Sequence, residues 1–163
     1  IIMDKGHIAQ MGTPEEVYDH PASPFIARFM GADNQLTLRF IVKDGQNFVT
    51  MDDSGRELYP WHGPKHEGTR IGFINEDSVS LTDPNQNNQN ALLLQGHIIN
   101  RAYPGGHYRY SVACGKYHFS ATSENSYEEG ARVCLTLPFN RLHLFSHADD
   151  AYNHPTTYNR RTA

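Results

Sequence analysis

His62 and His66 stand four residues apart with Glu67 beside them. On a helix that spacing would bring both imidazoles onto one face, where they could share a metal ion. Pro60, Gly63 and Pro64 oppose a helix there, so the expectation is a solvated loop and no metal site. His97, His107, His118 and His143 alternate with apolar neighbours in strand-like runs, which puts them on outward faces. The formal charge is −4 with neutral histidines and would become +6 if all ten were protonated, so the surface potential responds to mild acid.

Tyr103, Tyr108, Tyr110, Tyr117 and Phe119 could form a stacking platform for bases. Beside them lie only Arg101, Arg109 and Lys116, and acidic residues outnumber basic ones by 18 to 14. Nucleic-acid binding relies on clustered Lys and Arg, so core packing and a protein-contact face are the expected roles. Cys114 and Cys134 are too few for a disulfide framework and fit no zinc spacing; both are expected buried, reduced and structural. The chain contains no G-x-x-x-x-G-K-[ST], G-x-S-x-G or H-E-x-x-H motif. Gly105-Gly106, between Tyr103-Pro104 and His107-Tyr108, reads as a hairpin turn rather than an anion loop. No catalytic, cofactor-binding or metal-ligating residue is therefore assigned.

The elements that must position these residues change character near residue 36. Ile1-Ile2-Met3 and His7–Met11 flank Asp4-Lys5-Gly6 as a β-hairpin. Thr13-Pro14-Glu15-Glu16 is a helix start with Thr at the N-cap, Pro at N1 and Glu at N3, stopped by His20-Pro21. Ser23-Pro24 starts a second helix with Phe25, Ile26, Phe29 and Met30 as its apolar stripe and Gly31 as its stop. The period then becomes two. Strands are expected at 36–42, 47–51, 57–61, 70–74, 78–81, 92–102, 107–114, 116–121, 132–137 and 142–145. Asp44-Gly45, Asp53-Ser54-Gly55, Pro104-Gly105-Gly106, Cys114-Gly115 and Glu129-Gly130 separate them as turns. Many short strands at tight spacing predict a small β-barrel or barrel-like sandwich. The Asn/Gln-rich run 83–90 reads as a mobile connector and the tail 147–163 as disordered. No apolar run approaches the roughly 20 residues of a membrane span and no signal peptide is legible, so a soluble, cytoplasmic chain is expected. Because Ile1 opens in mid-strand, the chain is expected to be a piece of a longer protein.

Residues 1–31 closely resemble the end of the ATPase domain of ABC importers. In that family a D/N-x-G turn, I-x-Q-x-G-[ST]-P, E-E-[VIL]-Y-x-x-P and F-[VI]-A-x-F-x-G follow one another. Here they stand as Asp4-Lys5-Gly6, Ile8-Ala9-Gln10-Met11-Gly12-Thr13-Pro14, Glu15-Glu16-Val17-Tyr18-Asp19-His20-Pro21 and Phe25-Ile26-Ala27-Arg28-Phe29-Met30-Gly31. The remainder, to about residue 146, is similar to the family's C-terminal regulatory extension, the TOBE or OB-like domain of maltose, ferric-iron, polyamine and sulfate importers. Gly72-Phe73-Ile74-Asn75-Glu76-Asp77-Ser78-Val79 stands where that family has G-[IV]-R-P-E-D-[VI]; Ile74-Asn75 replaces its Arg-Pro. Tyr103 to Tyr110 matches its Y-x-G-x-x-x-x-Y hairpin, and Leu137-Pro138 with Leu142-His143-Leu144-Phe145 its closing strand.

The resemblance implies a mainly β chain: residues 1–33 from the ATPase domain, 34–146 as an OB-like TOBE barrel, and 147–163 as the tail. It implies a regulatory, dimer-stabilising domain of the cytosolic ATP-binding subunit of an importer. ATP and Mg would be handled by the parent's ATPase domain, and this chain would not be catalytic. The implied partners are a second copy and the membrane subunits of the parent transporter at the inner face of the plasma membrane; the open strand edges and apolar side chains of the Ile1–Met11 hairpin add an expectation of strand exchange or extra association through it. Tyr103, Tyr108, Tyr110, Leu142 and Phe145 are the candidate dimer or regulatory face. Leu-His-Leu-Phe leans toward ferric-iron or phosphonate relatives. One alternative is a solute-sensing domain that binds the transported oxyanion, ferric iron, phosphonate or polyamine and inhibits transport. Another is a single-stranded nucleic-acid binder of the OB class.

Overall fold

Alternation at period two builds most of this chain. In Asn34–Lys43 the residues Asn34, Leu36, Leu38 and Phe40 turn inward while Gln35, Thr37 and Arg39 stay exposed, the signature of a sheet with one buried face. The structure is a computed structural model and describes residues 1–51, 57–82 and 90–146. The expected Asp53-Ser54-Gly55 turn, the 83–89 part of the Asn/Gln run and the tail 147–163 lie outside the described residues.

The N-terminal segment contains β1 (Ile2–Asp4), β2 (His7–Gln10), α1 (Pro14–Asp19) and α2 (Pro24–Phe29). The expected helix signals hold in detail. Thr13 accepts from the Glu16 amide at 3.2 Å, and Glu16 Oε2 accepts from the Thr13 amide at 2.8 Å, which satisfies two of the four orphan donors of the first turn. Replacing Thr13 by Ala is expected to cost about 1 kcal/mol. Urea unfolding followed by circular dichroism would show that loss, with Thr13→Ser close to wild type. Helix α2 departs from its expected stripe. Pro24, Ile26 and Ala27 are buried, whereas Phe29 is 63% exposed and meets Phe25 with ring centroids 6.2 Å apart. Phe25 and Phe29, four residues apart, share a face that turns away from the one holding Ile26 and Ala27.

All ten expected strands form. In chain order they are β3 (Asn34–Lys43), β4 (Gln46–Thr50), β5 (Tyr59–Pro60), β6 (Gly68–Ile74), β7 (Ser80–Thr82), β8 (Ala91–Gly105), β9 (His107–Cys114), β10 (Tyr117–Ser123), β11 (Arg132–Pro138) and β12 (His143–Phe145). They make two five-stranded antiparallel sheets, ordered β10-β9-β8-β11-β7 and β12-β6-β3-β4-β5. The sheets enclose one core that runs from Leu36, Leu38 and Val49 to Ile98, Val112, Val133, Leu135 and Leu137. This is the mainly β, barrel-like sandwich architecture that the strand spacing predicts; the OB-like form is what the family resemblance implies. Short 3-10 turns, Glu76–Ser78 and Phe139–Arg141, lead into β7 and β12. Gly96 shows how tightly β8 lies on β9: a Cβ there would come within 2.5 Å of Cys114 Sγ and 2.7 Å of the Ala113 carbonyl.

Side chains join what backbone ladders leave open. Asn34, 3% exposed, reaches from β3 across to β10; its Nδ2 donates to the Ser120 carbonyl at 2.8 Å and its Oδ1 accepts the Ser120 amide at 2.6 Å. The Thr37 amide donates to Tyr117 Oη at 3.3 Å along the same seam. On the opposite side Tyr59 Oη donates to the Leu93 carbonyl at 2.9 Å. β10 is an edge strand and so leaves a row of amides and carbonyls unpaired; the Asn34 bonds to Ser120 occupy part of that row.

Candidate functional site

The five residues expected to share a face fall into two groups on different sheets. Tyr103, Tyr108 and Tyr110 lie on the β8–β9 ribbon; Leu142 and Phe145 lie at the edge of the other sheet. Tyr103 is 61% exposed and its ring sits 4.9 Å from that of Tyr108. Tyr110 does not belong to a surface. It is 1% exposed, its hydroxyl donates to the Asn125 carbonyl at 2.8 Å, and it accepts the Tyr127 amide at 2.9 Å. Alternation on β9 turns Tyr110 inward with Val112 and Cys114, so the aromatic run divides between core and surface. Phe119 is likewise core, at 1% exposure. Phe145 packs on Phe73 with centroids 5.8 Å apart, while Leu142 and Leu144 pack against the main core.

The three cations beside the aromatics are all engaged within the chain. Arg101 Nη1 meets Glu128 Oε1 at 2.9 Å, and its guanidinium lies 5.9 Å from the Tyr108 ring centroid. Arg109 Nε donates to Glu76 Oε1 at 3.0 Å, with a second contact from Nη2. Lys116 Nζ lies 5.4 Å from the Tyr117 ring centroid. The two arginines thus meet internal carboxylates rather than offering a row of charges to a phosphate backbone.

Two histidines sit deeper than alternation suggests. His66 does not lie on a solvated loop: its ring is 4.9 Å from Phe40 and 5.9 Å from Trp61, and burial, then Arg70, pushes its pKa below 6.5. His143 is half-buried rather than outward-facing, with Asp19 and His20 at the end of α1 close by. No group of three or more His, Cys, Asp or Glu residues has metal-binding geometry among the described residues. Cys114 and Cys134 are buried free thiols. Burial, then the neighbouring Cys134, raises the Cys114 thiol to about 11, and burial also raises that of Cys134; both are held as unreactive thiols.

The N-terminal segment is fastened to the β-sheets by contacts the sequence did not disclose. Asn75, at the position where the resembled family has proline, is 7% exposed and donates from Nδ2 to the Met30 carbonyl at 2.9 Å. Ala27 and Ala32 bury against Phe73, over whose ring Arg28 stacks at 5.0 Å. Tyr18 Oη donates to Asp77 Oδ2 at 3.1 Å, and Arg141 Nη1 lies 3.6 Å from Asp19 Oδ1. The preference of a strand end for polar residues is too general to have singled out Asn75 from sequence.

Exposed apolar side chains mark the remaining candidate surfaces. Ile1, Met3, Ile8 and Met11 of the hairpin are 53–76% exposed, and Ile99, on β8 like Tyr103, is 43% exposed. No helix among the described residues is long and apolar enough to cross a membrane.

No protein-family model matches the chain. It is 29% identical over 154 residues to the spermidine/putrescine import ATP-binding protein PotA of Clostridium novyi, covering 92% of this chain and 41% of that protein. It is 32% identical over 112 residues to the Fe(3+) ions import ATP-binding protein FbpC of Rhizobium etli, with 69% and 30% covered. The FbpC protein of Escherichia coli is 30% identical over 118 residues, with 69% and 29% covered. The chain therefore spans about two fifths or less of these relatives. A solved structure of the cytoplasmic molybdate-binding protein ModG, with molybdate bound, is similar at a TM-score of 0.48 and 15% identity, covering 69% of this chain and 95% of that one.

Proposed function

We propose, from the premise that this chain is a homologue of the C-terminal part of ABC importer ATP-binding subunits, that it is the regulatory and dimer-stabilising module of such a subunit. Residues 1–33 are then the end of its ATPase domain and residues 34–146 its TOBE domain. The observation that carries this reading is the placement of apolar surface. A single packed core fills the space between the sheets, while Ile99 and Tyr103 stay exposed on the β8–β9 ribbon. Apolar side chains left outside a packed core fit a contact surface.

A contact between two copies about a two-fold axis uses one patch twice, and the paired Tyr103 and Tyr108 rings supply an aromatic patch of the kind such interfaces favour. Two joined modules would keep two ATPase halves close as these open and close. In this reading the chain performs no chemistry of its own; ATP and Mg belong to the ATPase domain. The subunit works in the cytoplasm at the inner face of the membrane, held there by the importer's membrane subunits.

Light scattering behind a sizing column, over a range of protein concentrations, tests the reading. A stable species near 37 kDa, twice the chain mass of 18.5 kDa, is expected. Ile99→Lys with Tyr103→Lys should return it to monomer, whereas Met3→Lys with Ile8→Lys should not. A persistent monomer at all concentrations overturns the proposal. Loss of the dimer only in the Met3, Ile8 variant transfers the contact to the hairpin and overturns the ribbon as its site.

A further inference from the structure

The end of α1 meets the β-sheets across a cleft of about 340 Å³. Asp19 lines it from α1, while Arg141 lines it from the 3-10 turn before β12. Asp19 Oδ1 and Arg141 Nη1 stand 3.6 Å apart, and each side chain is 53% exposed. That separation is an ion pair longer than a hydrogen bond. Among the described residues no hydrogen bond occupies either side chain, so a free carboxylate and a free guanidinium lie side by side. Tyr18 and Ser78, also at this cleft, are already engaged, since both hydroxyls donate to Asp77.

An adjoining cleft of about 450 Å³ shares Asp19 and continues away from the charged pair. Phe139, Leu142, Leu144 and Phe145, all half-buried, give it largely apolar walls. Two of the five residues expected to form a regulatory face, Leu142 and Phe145, therefore line one cleft. Each cleft is of the size of a small-molecule pocket, about 300–1,000 Å³. Together they offer a pair of opposite charges at one end and apolar side chains at the other.

We propose that these joined clefts bind a free α-amino acid with an apolar side chain, its carboxylate on Arg141, its ammonium on Asp19 and its side chain against Leu142, Leu144 and Phe145.

The charged pair decides the class of ligand. A simple anion would gain Arg141 but meet the Asp19 carboxylate beside it; a simple amine would gain Asp19 but meet the guanidinium. A molecule that carries both charges, one carbon apart, gains from each and adds no net charge to the cleft. Guanidinium groups hold carboxylates through paired N–H bonds, and Asp19 meets Arg141 through Nη1, which leaves other N–H groups for a ligand. The apolar walls then select for a side chain, each buried methylene being worth about fourfold in affinity. Such a ligand touches α1 through Asp19 and the β-sheets through Arg141 and Leu142, so it ties the N-terminal segment to them. The inference stands whether or not two copies of the chain join.

Trp61, the chain's one tryptophan, lines the apolar cleft and reports its occupancy by fluorescence. Titrating the intact chain with L-leucine should shift the emission and saturate, with calorimetry giving the same affinity. N-acetyl-leucine lacks the ammonium and leucinamide lacks the carboxylate, so each should bind about tenfold more weakly or worse. Glycine, without a side chain, should also bind more weakly. Arg141→Gln and Asp19→Asn should each weaken leucine binding by a similar factor. Both positions are exposed, so thermal melts without ligand should stay near wild type. No saturable binding at millimolar leucine overturns the site. Equal binding of N-acetyl-leucine or leucinamide overturns recognition by two charges, and equal binding of glycine overturns the role of the apolar walls. Leucine affinity unchanged in either variant overturns the charged pair as the anchor.

Discussion

Replacing Asn34 by Ala should destabilise the chain by about 2–4 kcal/mol, more than any other single polar truncation on the β3–β10 seam. The side chain makes both hydrogen bonds to Ser120, at 2.6 and 2.8 Å, and is itself 3% exposed. Removing it leaves an amide and a carbonyl without partners in a partly buried seam, and each such group costs about 1–3 kcal/mol. Urea unfolding would read the loss as a lower midpoint with an unchanged slope. Asn34→Asp separates this account from a packing effect. Its carboxylate can still accept the Ser120 amide but turns a lone pair on the Ser120 carbonyl, so folding should raise its pKa. Its deficit relative to wild type should then shrink as the pH falls through the carboxylate range, because the protonated acid restores the donor. A deficit that does not change with pH would point to shape rather than hydrogen bonding.

Trp61→Ala should cost about 3–5 kcal/mol, the range for deleting a large buried aromatic side chain. The indole is 5% exposed, lies 5.1 Å from the Phe40 ring and 4.9 Å from that of Phe139, and donates from Nε1 to the Pro64 carbonyl at 2.8 Å. Gly63 is moulded to it, since a Cβ there would sit 2.7 Å from the indole edge. Trp61→Phe keeps most of the ring contacts and forfeits the hydrogen bond, so it should fall well short of the Ala loss. Thermal melts of the two variants beside wild type give the comparison; equal losses would place the effect in the Pro64 bond and not in the packing.

The aromatic cluster around Trp61 also explains why one histidine was misplaced from sequence. Pro60, Gly63 and Pro64 correctly exclude a helix, but a loop rich in proline and glycine can still fold back on a sheet. His66 does so against Phe40. The same limit applies to Phe29 and His143. Period-two or helical spacing tells which side chains share a face, and not whether another element will cover that face. Tyr110 shows the converse: the sequence marks it as one of a row of aromatics, and only the strand's alternation within a closed core turns it inward.

The sequence alone determined the class of the fold, its ten β-domain strands and both helix starts, because those depend on local periodicity, capping chemistry and turn residues. It also carried, in the motifs of residues 1–31, the resemblance to the import ATP-binding proteins that the chain matches. The tertiary structure decided the closure through Asn34, the clamp from Asn75 to Met30, and the approach of Asp19 and His20 to His143. Each joins residues between 45 and 124 positions apart, and no local rule of sequence can say which distant groups the folding of two sheets will bring within hydrogen-bonding or charge range.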